Sequence, residues 1–301
     1  METLKNKIDF AVIVSVKNAN PNGDPLNGNR PRITYEGLGE LSDVCLKRKI
    51  RNRLMEAGHP IFVQSDDNRI DDYRSLRSRV EGELKDVDMK DEKKYRDAAC
   101  QKWIDVRTFG QVFAYKGGTK KGKKAKEEES GEEKSDDKGV SIGIRGPVSI
   151  HSAFSVAPIS STSIQITKSV SGEGDGTKRA SDTMGMKHRV DHGIYVSYGS
   201  MNTQLATKTG FTDKDADAIK DSLIKLFQND ASSARPEGSM EVVEVIWWKH
   251  NSKIGQYSSA QVHRSLEVKL KDGVAEPKNI NDYSIKINDL DGLKPERFTG
   301  L

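Results

Sequence analysis

An apolar run near the start of the chain, Ile8 to Val16, leads directly into a segment that can form neither helix nor strand. The run is rich in Val and Ile and predicts a buried β-strand over residues 8–17. Residues 18–32 read Asn-Ala-Asn-Pro-Asn-Gly-Asp-Pro-Leu-Asn-Gly-Asn-Arg-Pro-Arg, and Pro, Gly, Asn and Asp at this density require tight turns. A turn-rich loop at the end of a buried strand is a frequent place for function. Its amides and arginines suit a polar, anionic partner.

The charge balance alone does not identify such a partner. The chain has 301 residues, with 49 Lys and Arg against 45 Asp and Glu, so the position of the positive charge matters more than its sum. Hydrophobic residues make up only 34%, which indicates a modest core with extended excursions or a large partner interface. Cys45 and Cys100 lack metal-ligand spacing, and no apolar run approaches the ~20 residues of a membrane span. We therefore expect a cytoplasmic protein without membrane contact.

A basic helix follows the loop. Ser42 is a suitable N-cap and Gly58 a suitable stop, which predicts a helix over residues 42–57 with Leu46, Ile50 and Leu54 on its apolar face. Further along the chain the patterns predict a mostly helical insertion at 60–104, strands at 105–115 and 140–156, a hairpin at about 157–186, a strand at 187–203, a helix at 212–227 and a strand at 240–249.

Without its insertions this order is βαββαβ, which predicts an α+β fold of the ferredoxin-like or RRM-like type. Such a fold has an antiparallel sheet with both helices on one face, and we expect the other face to be open, as in RNA-recognition motifs. The predicted organisation is a first half over residues 1–59, an insertion over 60–140 and a second half over 141–301. The charge-block segment 116–138 is expected to be disordered because it cannot bury enough apolar surface.

No pattern of an assembled catalytic site is present. Residues 117–124 nearly match a phosphate-binding loop, but Lys124 stands where a Ser or Thr would hold Mg²⁺. The glycines of 172–176 do not follow the dinucleotide-binding spacing, and the histidines show no HExxH. The sequence therefore predicts no enzyme activity, no metal site and no cofactor.

Three ordered motifs carry a resemblance to a known family. They are Asn-Pro-Asn-Gly-Asp-Pro at 20–25, Leu-Lys-Arg-Lys-Ile-Arg at 46–51 and Asp-Val-Arg-Thr-Phe-Gly at 105–110. Together they resemble the repeating backbone subunit of the type I CRISPR Cascade complex, closest to subtype I-C. The resemblance extends from about residue 5 to about residue 270.

The resemblance implies a function in antiviral defence. In that family the ferredoxin-like core is a palm, an insertion forms fingers (here 60–140) and a long hairpin forms a thumb (here 157–186). Copies stack head to tail along a CRISPR guide RNA and present it for pairing with target DNA, so the protein binds backbone and shape while the RNA reads sequence. The partners implied are the guide RNA, target DNA, further copies of the chain, a subunit that binds the 5′ handle of the guide, and large and small subunits.

The residues that the resemblance implies for RNA binding are mostly basic. In the first helix, Lys47 and Arg51 share one flank, so a phosphate backbone along it would relieve their mutual repulsion. The flank could instead be a solvated helix face, and the loop asparagines could simply form Asx turns. The full set of predicted RNA-binding residues is Asn18, Asn20, Asn22, Arg30, Lys47, Arg48, Arg51, Arg107, Phe109, Lys168 and Arg179.

Two alternatives remain open. Related subunits of type III complexes cut target RNA with an aspartate in the loop after the first strand, and Asp24 occupies a comparable loop here. Metal-assisted cleavage usually needs more than one ligand, and a turn role for Asp24 fits its Pro and Gly neighbours equally well. The second alternative is a stand-alone single-stranded RNA-binding module, which would differ in stoichiometry.

Overall fold

The computed structural model describes residues 2–115, 140–168 and 184–301. The charge-block segment 116–138 and the predicted tip of the hairpin, with Arg179, lie outside the described residues. The described strands are β1 (Ile8–Ala19), β2 (Gly23–Asp24), β3 (Arg30–Pro31), β4 (Leu38–Leu41), β5 (Gly110–Tyr115), β6 (Val140–Arg145), β7 (Val148–Ile150), β8 (Ala153–Pro158), β9 (Ser161–Thr167), β10 (Met184–Met201), β11 (Met240–Lys249), β12 (Leu266–Leu270), β13 (Tyr283–Ile287) and β14 (Glu296–Thr299). The described helices are α1 (Asp43–Glu56), α2 (Leu76–Glu83), α3 (Glu92–Lys102), α4 (Ile104–Phe109), α5 (Thr203–Thr209), α6 (Asp213–Ile224) and α7 (Ser259–Ser265).

One large antiparallel sheet organises the chain. Its strand order is β14-β11-β1-β10-β8-β4, and β7 and β9 pair with other parts of the long strand β10. The apolar strand β1 lies in the middle, with Val12 opposite Ser197 of β10 and Val245 of β11. An α+β fold around an antiparallel sheet is therefore confirmed, and the strand predicted at 8–17 is present as β1.

Both long helices predicted from the sequence pack on one face of this sheet. Alternate side chains of β1, such as Phe10 and Val14, contact the apolar faces of α1 and α6 in a single core cluster. Helix α1 begins where the Ser42 side chain accepts a hydrogen bond from the Cys45 backbone N–H, which satisfies one of the free donors of the first turn. Thr212 and Asp215 form a capping box at the start of α6. Local capping thus starts both helices where the sequence predicts them.

The opposite face of the sheet is covered, so the expectation of an open face is wrong. Ala11 and Ile13 of β1 are fully buried and belong to a second cluster with Trp248 of β11. The cover is supplied by the C-terminal part of the chain, through Val262 of α7, Leu266 of β12, Tyr283 of β13 and Leu293. These residues are separated by polar loops, so the sequence gives no periodic signal that they fold back over the sheet.

The segment 105–115, predicted to be a strand, is helical in its first half and extended in its second. Residues Ile104–Phe109 form α4, and the chain becomes extended only at Gly110, where φ is +82°. A side chain at Gly110 would also come within 2.2 Å of the Ile144 carbonyl oxygen, so only glycine fits this change of direction. The sequence pattern misleads because one short buried helical turn and the following strand give a similar alternation of apolar and polar residues.

The insertion has an apolar core of its own. Side chains from α2, α3 and the β5–β6 pair meet there, and Phe62 lies against Trp103 and Phe113 with ring centroids 4.7 and 5.3 Å apart. The mostly helical character predicted for 60–104 agrees with α2 and α3. Farther along the chain, β9 and the first part of β10 form an antiparallel ribbon from Ser161–Val190 to Thr167–Met184, which overlaps the hairpin predicted at 157–186 and extends four residues beyond it. None of the helices in the described ranges is long and apolar enough to cross a membrane.

Candidate nucleic-acid interface

The asparagine-rich loop folds into a small hairpin at the end of β1. Strands β2 and β3 pair through Gly23 with Pro31 and Asp24 with Arg30. Gly23 lies so close to Asn29 that a Cβ atom would fall 2.0 Å from the Asn29 Oδ1, so a side chain at this position would require the Asn29 side chain to move. The buried Asn20 side chain donates to the Asn29 carbonyl oxygen at 2.7 Å and closes the hairpin.

Asn22 joins this hairpin to the start of α1. Its Oδ1 accepts hydrogen bonds from both the backbone N–H and the hydroxyl of Ser42, at 2.9 and 2.8 Å. Because Ser42 is itself the N-cap of α1, the loop and the helix are held as one unit. This geometry favours the structural alternative for Asn20 and Asn22, in which their side chains bond to the protein's own backbone, and their predicted contact with RNA stays a prediction.

A cavity of about 390 Å³ opens where the hairpin, α1 and the segment before β11 meet. The hairpin contributes Asn22 and Arg32, and α1 contributes Cys45, Arg48 and Lys49. The third wall holds Asp230 and Arg235. We refer to this space as the basic pocket, because its lining carries four cationic side chains.

The charges of the basic pocket are only partly neutralised. Asp230 forms ion pairs with the buried Lys49 and, at 3.1 Å, with the Arg235 Nε. Burial lowers the pKa of Lys49, and the Asp230 carboxylate opposes that shift. Arg32 lies 3.6 Å from the Asp24 carboxylate. Arg48 is exposed and has no ion pair with any residue the structure describes. The pocket therefore keeps cationic donors for an anion, as arginine-lined phosphate sites do.

Arg51 does not line the basic pocket and instead forms contacts within the protein. Its Nε donates to the Asp105 Oδ2 at 3.0 Å, and its guanidinium lies 5.1 Å from the centre of the Phe109 ring. Asp105 is 1% exposed and also accepts the backbone N–H groups of Phe62 and Val63 at 2.7 and 3.0 Å. The contacts tie α1 to α4 and to the start of the insertion. The predicted RNA-binding roles of Arg51 and Phe109 stay predictions, but both side chains already have structural partners.

Arg107 is also engaged within the fold. Its Nη2 donates to the Asp215 Oδ1 at 2.7 Å, and its Nε lies 3.2 Å from the same atom. Asp215 is the third residue of α6 and belongs to the capping box with Thr212. The ion pair therefore fastens α4 to the start of α6, and the predicted contact of Arg107 with RNA stays a prediction.

The remaining predicted residues are more exposed. Lys47 pairs with Asp43 at 2.9 Å one turn earlier on α1, and an exposed pair of this kind contributes little to stability. Asn18 is exposed with φ of +54°, and Arg30 is exposed on the hairpin. Lys168 is exposed just after β9. Of the predicted set, Asn22 and Arg48 line the basic pocket, and sequence reasoning missed Arg32, Lys49 and Arg235 as pocket residues.

Asp24 has the contacts of a turn residue. Its Oδ1 accepts the Leu26 backbone N–H at 3.2 Å and faces Arg32. Within the described ranges, no group of three or more His, Cys, Asp or Glu side chains is placed to hold a metal ion.

The chain matches a family model over most of its length and a curated protein over about three quarters of it. A family model described as CRISPR-associated protein Cas7 matches residues 6–288. A curated protein of Haloferax volcanii, also described as CRISPR-associated protein Cas7, is 24% identical over 234 residues, which is 77% of this chain and 67% of that protein.

Two solved structures are remotely similar. A chain of a CRISPR RNA-guided surveillance complex in a pre-nicking state has 14% identity and a TM-score of 0.46, covering 90% of this chain and 84% of that chain. A chain of another CRISPR RNA-guided surveillance complex has 16% identity and a TM-score of 0.39, covering 80% of this chain and 68% of that chain.

Proposed function

This chain belongs to the Cas7 family of CRISPR-associated proteins, and we propose that it is a repeating, non-catalytic backbone subunit of a type I surveillance complex, of subtype I-C. In this proposal its copies bind head to tail along a CRISPR guide RNA and present the guide for pairing with target DNA. The other partners are a subunit at the 5′ handle of the guide and the large and small subunits of the complex, and the assembly works in the cytoplasm.

The observation that carries the proposal is the basic pocket. Arg48 has no ion pair within the described residues, and Arg32 and Arg235 approach the same cavity from separate parts of the chain. A phosphodiester group is the anion that such a fork-shaped set of donors accommodates, and it would make binding independent of RNA sequence. A subunit that leaves sequence reading to the guide needs binding of this kind.

The architecture supports the assignment of parts. In the proposed hand-like arrangement, β1, α1, β7, β8, β10, α6 and β11 form the palm. The insertion at 60–140, with its separate apolar core, forms the fingers. The ribbon of β9 and β10 forms the base of the thumb, and Lys168 lies at its described end. A protruding ribbon suits a contact with the next copy, because head-to-tail contacts that do not close into a ring build an open filament.

The first test removes one arginine of α1 and one arginine of the segment before β11, both of which line the basic pocket. The Arg48→Gln, Arg235→Gln double variant should bind a fluorescein-labelled guide RNA on the order of tenfold more weakly at ~0.15 M salt. The slope of log affinity against log salt should fall by about one per lost phosphate contact, because fewer counterions are released. The loss should be the same for guides of different sequence. Fluorescence anisotropy over a salt series measures both quantities.

The matched control removes the same charge elsewhere. Arg264 and Lys294 are exposed in the C-terminal part of the chain, outside the basic pocket. The Arg264→Gln, Lys294→Gln variant should keep most of the affinity. Equal losses in the two double variants would show that only net charge matters and would contradict the assignment of the pocket.

The second test addresses the nuclease alternative. Because Asp24 is held by a turn and by Arg32, the assembled complex should leave a complementary RNA intact in the presence of Mg²⁺. Gel analysis of end-labelled RNA after incubation with wild type and with Asp24→Ala measures this. Regularly spaced cuts that disappear in the variant would make the protein a metal-dependent endoribonuclease.

Stoichiometry separates the filament from a stand-alone module. Native mass spectrometry of the protein with one guide RNA should show several copies per RNA, because each copy covers only a part of it. A single copy at saturating protein would favour the stand-alone single-stranded RNA-binding module.

A further inference from the structure

A second cavity lies on the other face of the sheet, at the end of β1. Its volume is about 160 Å³. The sheet contributes Ser15, Lys17 and His192, the segment before β11 contributes Gly238, Ser239 and Glu241, and the turn before β13 contributes Lys278, Asn279 and Ile280. The space is smaller than the roughly 300–1,000 Å³ typical of small-molecule sites. It fits one charged group rather than a whole metabolite.

His192 is the most unusual side chain of this cavity. It lies directly across from Lys17 on the neighbouring strand, and its ring is 5.9 Å from that of Tyr283. Both ring nitrogens are buried and form no well-aligned hydrogen bond with any described residue, although the Val16 carbonyl lies close to the ring. A buried polar group in this state is destabilising, so it calls for an explanation. A ligand in the cavity would supply the missing partner.

Two lysines and two carboxylates surround His192. Lys17 and Lys278 are exposed, and neither forms an ion pair with any residue the structure describes. Glu241 lines the cavity as well, and Asp282 lies close enough to His192 to affect its pKa. Burial lowers the pKa of His192, with Lys17 adding to that effect while Asp282 and the Val16 carbonyl oppose it. At neutral pH the ring is therefore uncharged and offers one N–H donor.

The second cavity is continuous with the basic pocket. A shallow cleft between them shares Asp230 and Arg235 with the basic pocket and Gly238 and Ser239 with the second cavity. The segment that forms this cleft is fixed to the end of β1, since the Lys17 backbone N–H donates to the Ser239 carbonyl oxygen at 2.8 Å. One path thus runs from the basic face of α1 around the end of β1 to the opposite face of the sheet.

We propose that Lys17, His192 and Lys278 form a second phosphate-binding site, which takes a phosphodiester group of the nucleic acid whose backbone also occupies the basic pocket. This inference rests on the proposed function. Continuity with the basic pocket favours the guide RNA as the source of the phosphate. A backbone held at two points on opposite faces of the sheet would be bent around the end of β1.

The test uses two variants, one that removes two positive charges and one that removes only hydrogen-bonding atoms. The Lys17→Gln, Lys278→Gln variant should bind a fluorescein-labelled guide RNA on the order of tenfold more weakly at ~0.15 M salt, and its salt slope should fall by about one per lost contact. His192→Phe keeps the ring but removes both nitrogens, so it should weaken binding several-fold at an unchanged salt slope, because a neutral imidazole releases no counterion.

The outcomes distinguish this site from the basic pocket. Wild-type affinity and slope in both variants, while the Arg48→Gln, Arg235→Gln variant loses affinity, would overturn the second site and leave the proposed function intact. An absence of guide binding by the wild type would overturn both. Unchanged guide binding with weaker capture of complementary DNA by the preassembled complex would support the site and identify the target strand as its source. Lys17 and Lys278 are exposed, so their variant stays informative even if His192→Phe misfolds.

Discussion

Replacing Asp105 with alanine should lower the free energy of unfolding by about 3–5 kcal/mol, the usual cost of removing one partner of a buried ion pair. The substitution leaves the Arg51 guanidinium without its carboxylate at 3.0 Å. It also leaves the backbone N–H groups of Phe62 and Val63 without acceptors, and each unsatisfied buried donor carries a penalty of its own. Urea denaturation followed by circular dichroism measures the loss.

Asp43→Ala is the matched control. Asp43 also pairs with a basic residue of α1, since its carboxylate is 2.9 Å from the Lys47 Nζ, but its side chain is 39% exposed. The control should cost no more than about 1 kcal/mol. If Asp105→Ala were no more destabilising than Asp43→Ala, the three contacts of Asp105 would not hold the insertion against the sheet.

A third variant, Arg51→Ala, tests whether Arg51 has a role besides its ion pair with Asp105. If Arg51 binds only Asp105, Arg51→Ala should weaken guide binding no more than its effect on folding requires. An Arg51→Ala variant that unfolds like the wild type but binds RNA poorly would instead support the phosphate contact predicted from the sequence.

Local signals in the sequence predict the elements whose boundaries depend on nearby residues. The apolar run at 8–17 gives β1, and Ser42 and Thr212 start α1 and α6 through bonds within their own first turns. The cover over the other sheet face is different, because Val262, Leu266 and Tyr283 reach it through long-range pairing. The spacing of apolar residues along the sequence, every 2 residues in a strand or 3.6 in a helix, gives no information about such a contact.

The residues of the candidate site likewise fall into two groups, those that local motifs point to and those that only the fold brings together. Asn22 and Arg48 lie within or next to the motifs that attract attention in the sequence, and both line the basic pocket. Arg235 lies in a polar segment without periodicity, and only the fold brings it to the start of α1. The motif at 105–110 shows the converse, since its charged residues stand out in the sequence but Asp105 and Arg107 have partners inside the protein.

The second large effect on stability is expected at Asp9, which lies in a buried cluster of polar side chains. Asp9 is fully buried, and its Oδ2 lies 2.8 Å from the His250 Nε2 and 3.2 Å from the Lys7 Nζ. The His250 Nδ1 accepts the Gln256 backbone N–H at 2.9 Å, so the proton on the ring is at Nε2 and donates to Asp9. The cluster fixes the start of the C-terminal part of the chain, which covers the sheet, to the first residues of β1.

Burial would raise the pKa of Asp9, but hydrogen bonds from His250 and Ser259 and the nearby Lys7 ammonium outweigh it and hold the pKa below its ordinary value. A carboxyl group whose pKa is lower in the folded state stabilises the fold above its unfolded pKa of ~3.9. That contribution is lost as the pH falls through the lowered value in the folded state. We therefore expect the stability supplied by Asp9 to be complete at neutral pH and to decrease only below about pH 4.

Asp9→Asn should lower the free energy of unfolding by about 3–5 kcal/mol at pH 7, because Lys7 loses its buried counter-charge. The difference between wild type and variant should shrink as the pH falls from about 4 through the lowered pKa of Asp9 in the folded state, below which both side chains are neutral. Urea denaturation at a series of pH values measures this difference, and taking the difference cancels the other carboxylates that titrate in the same range. A difference that stayed constant down to the acid limit of folding would mean that folding does not lower the pKa of Asp9, so that its charge adds no net stability. The hydrogen bonds of His250, rather than the charge of Asp9, would then hold the C-terminal cover to β1.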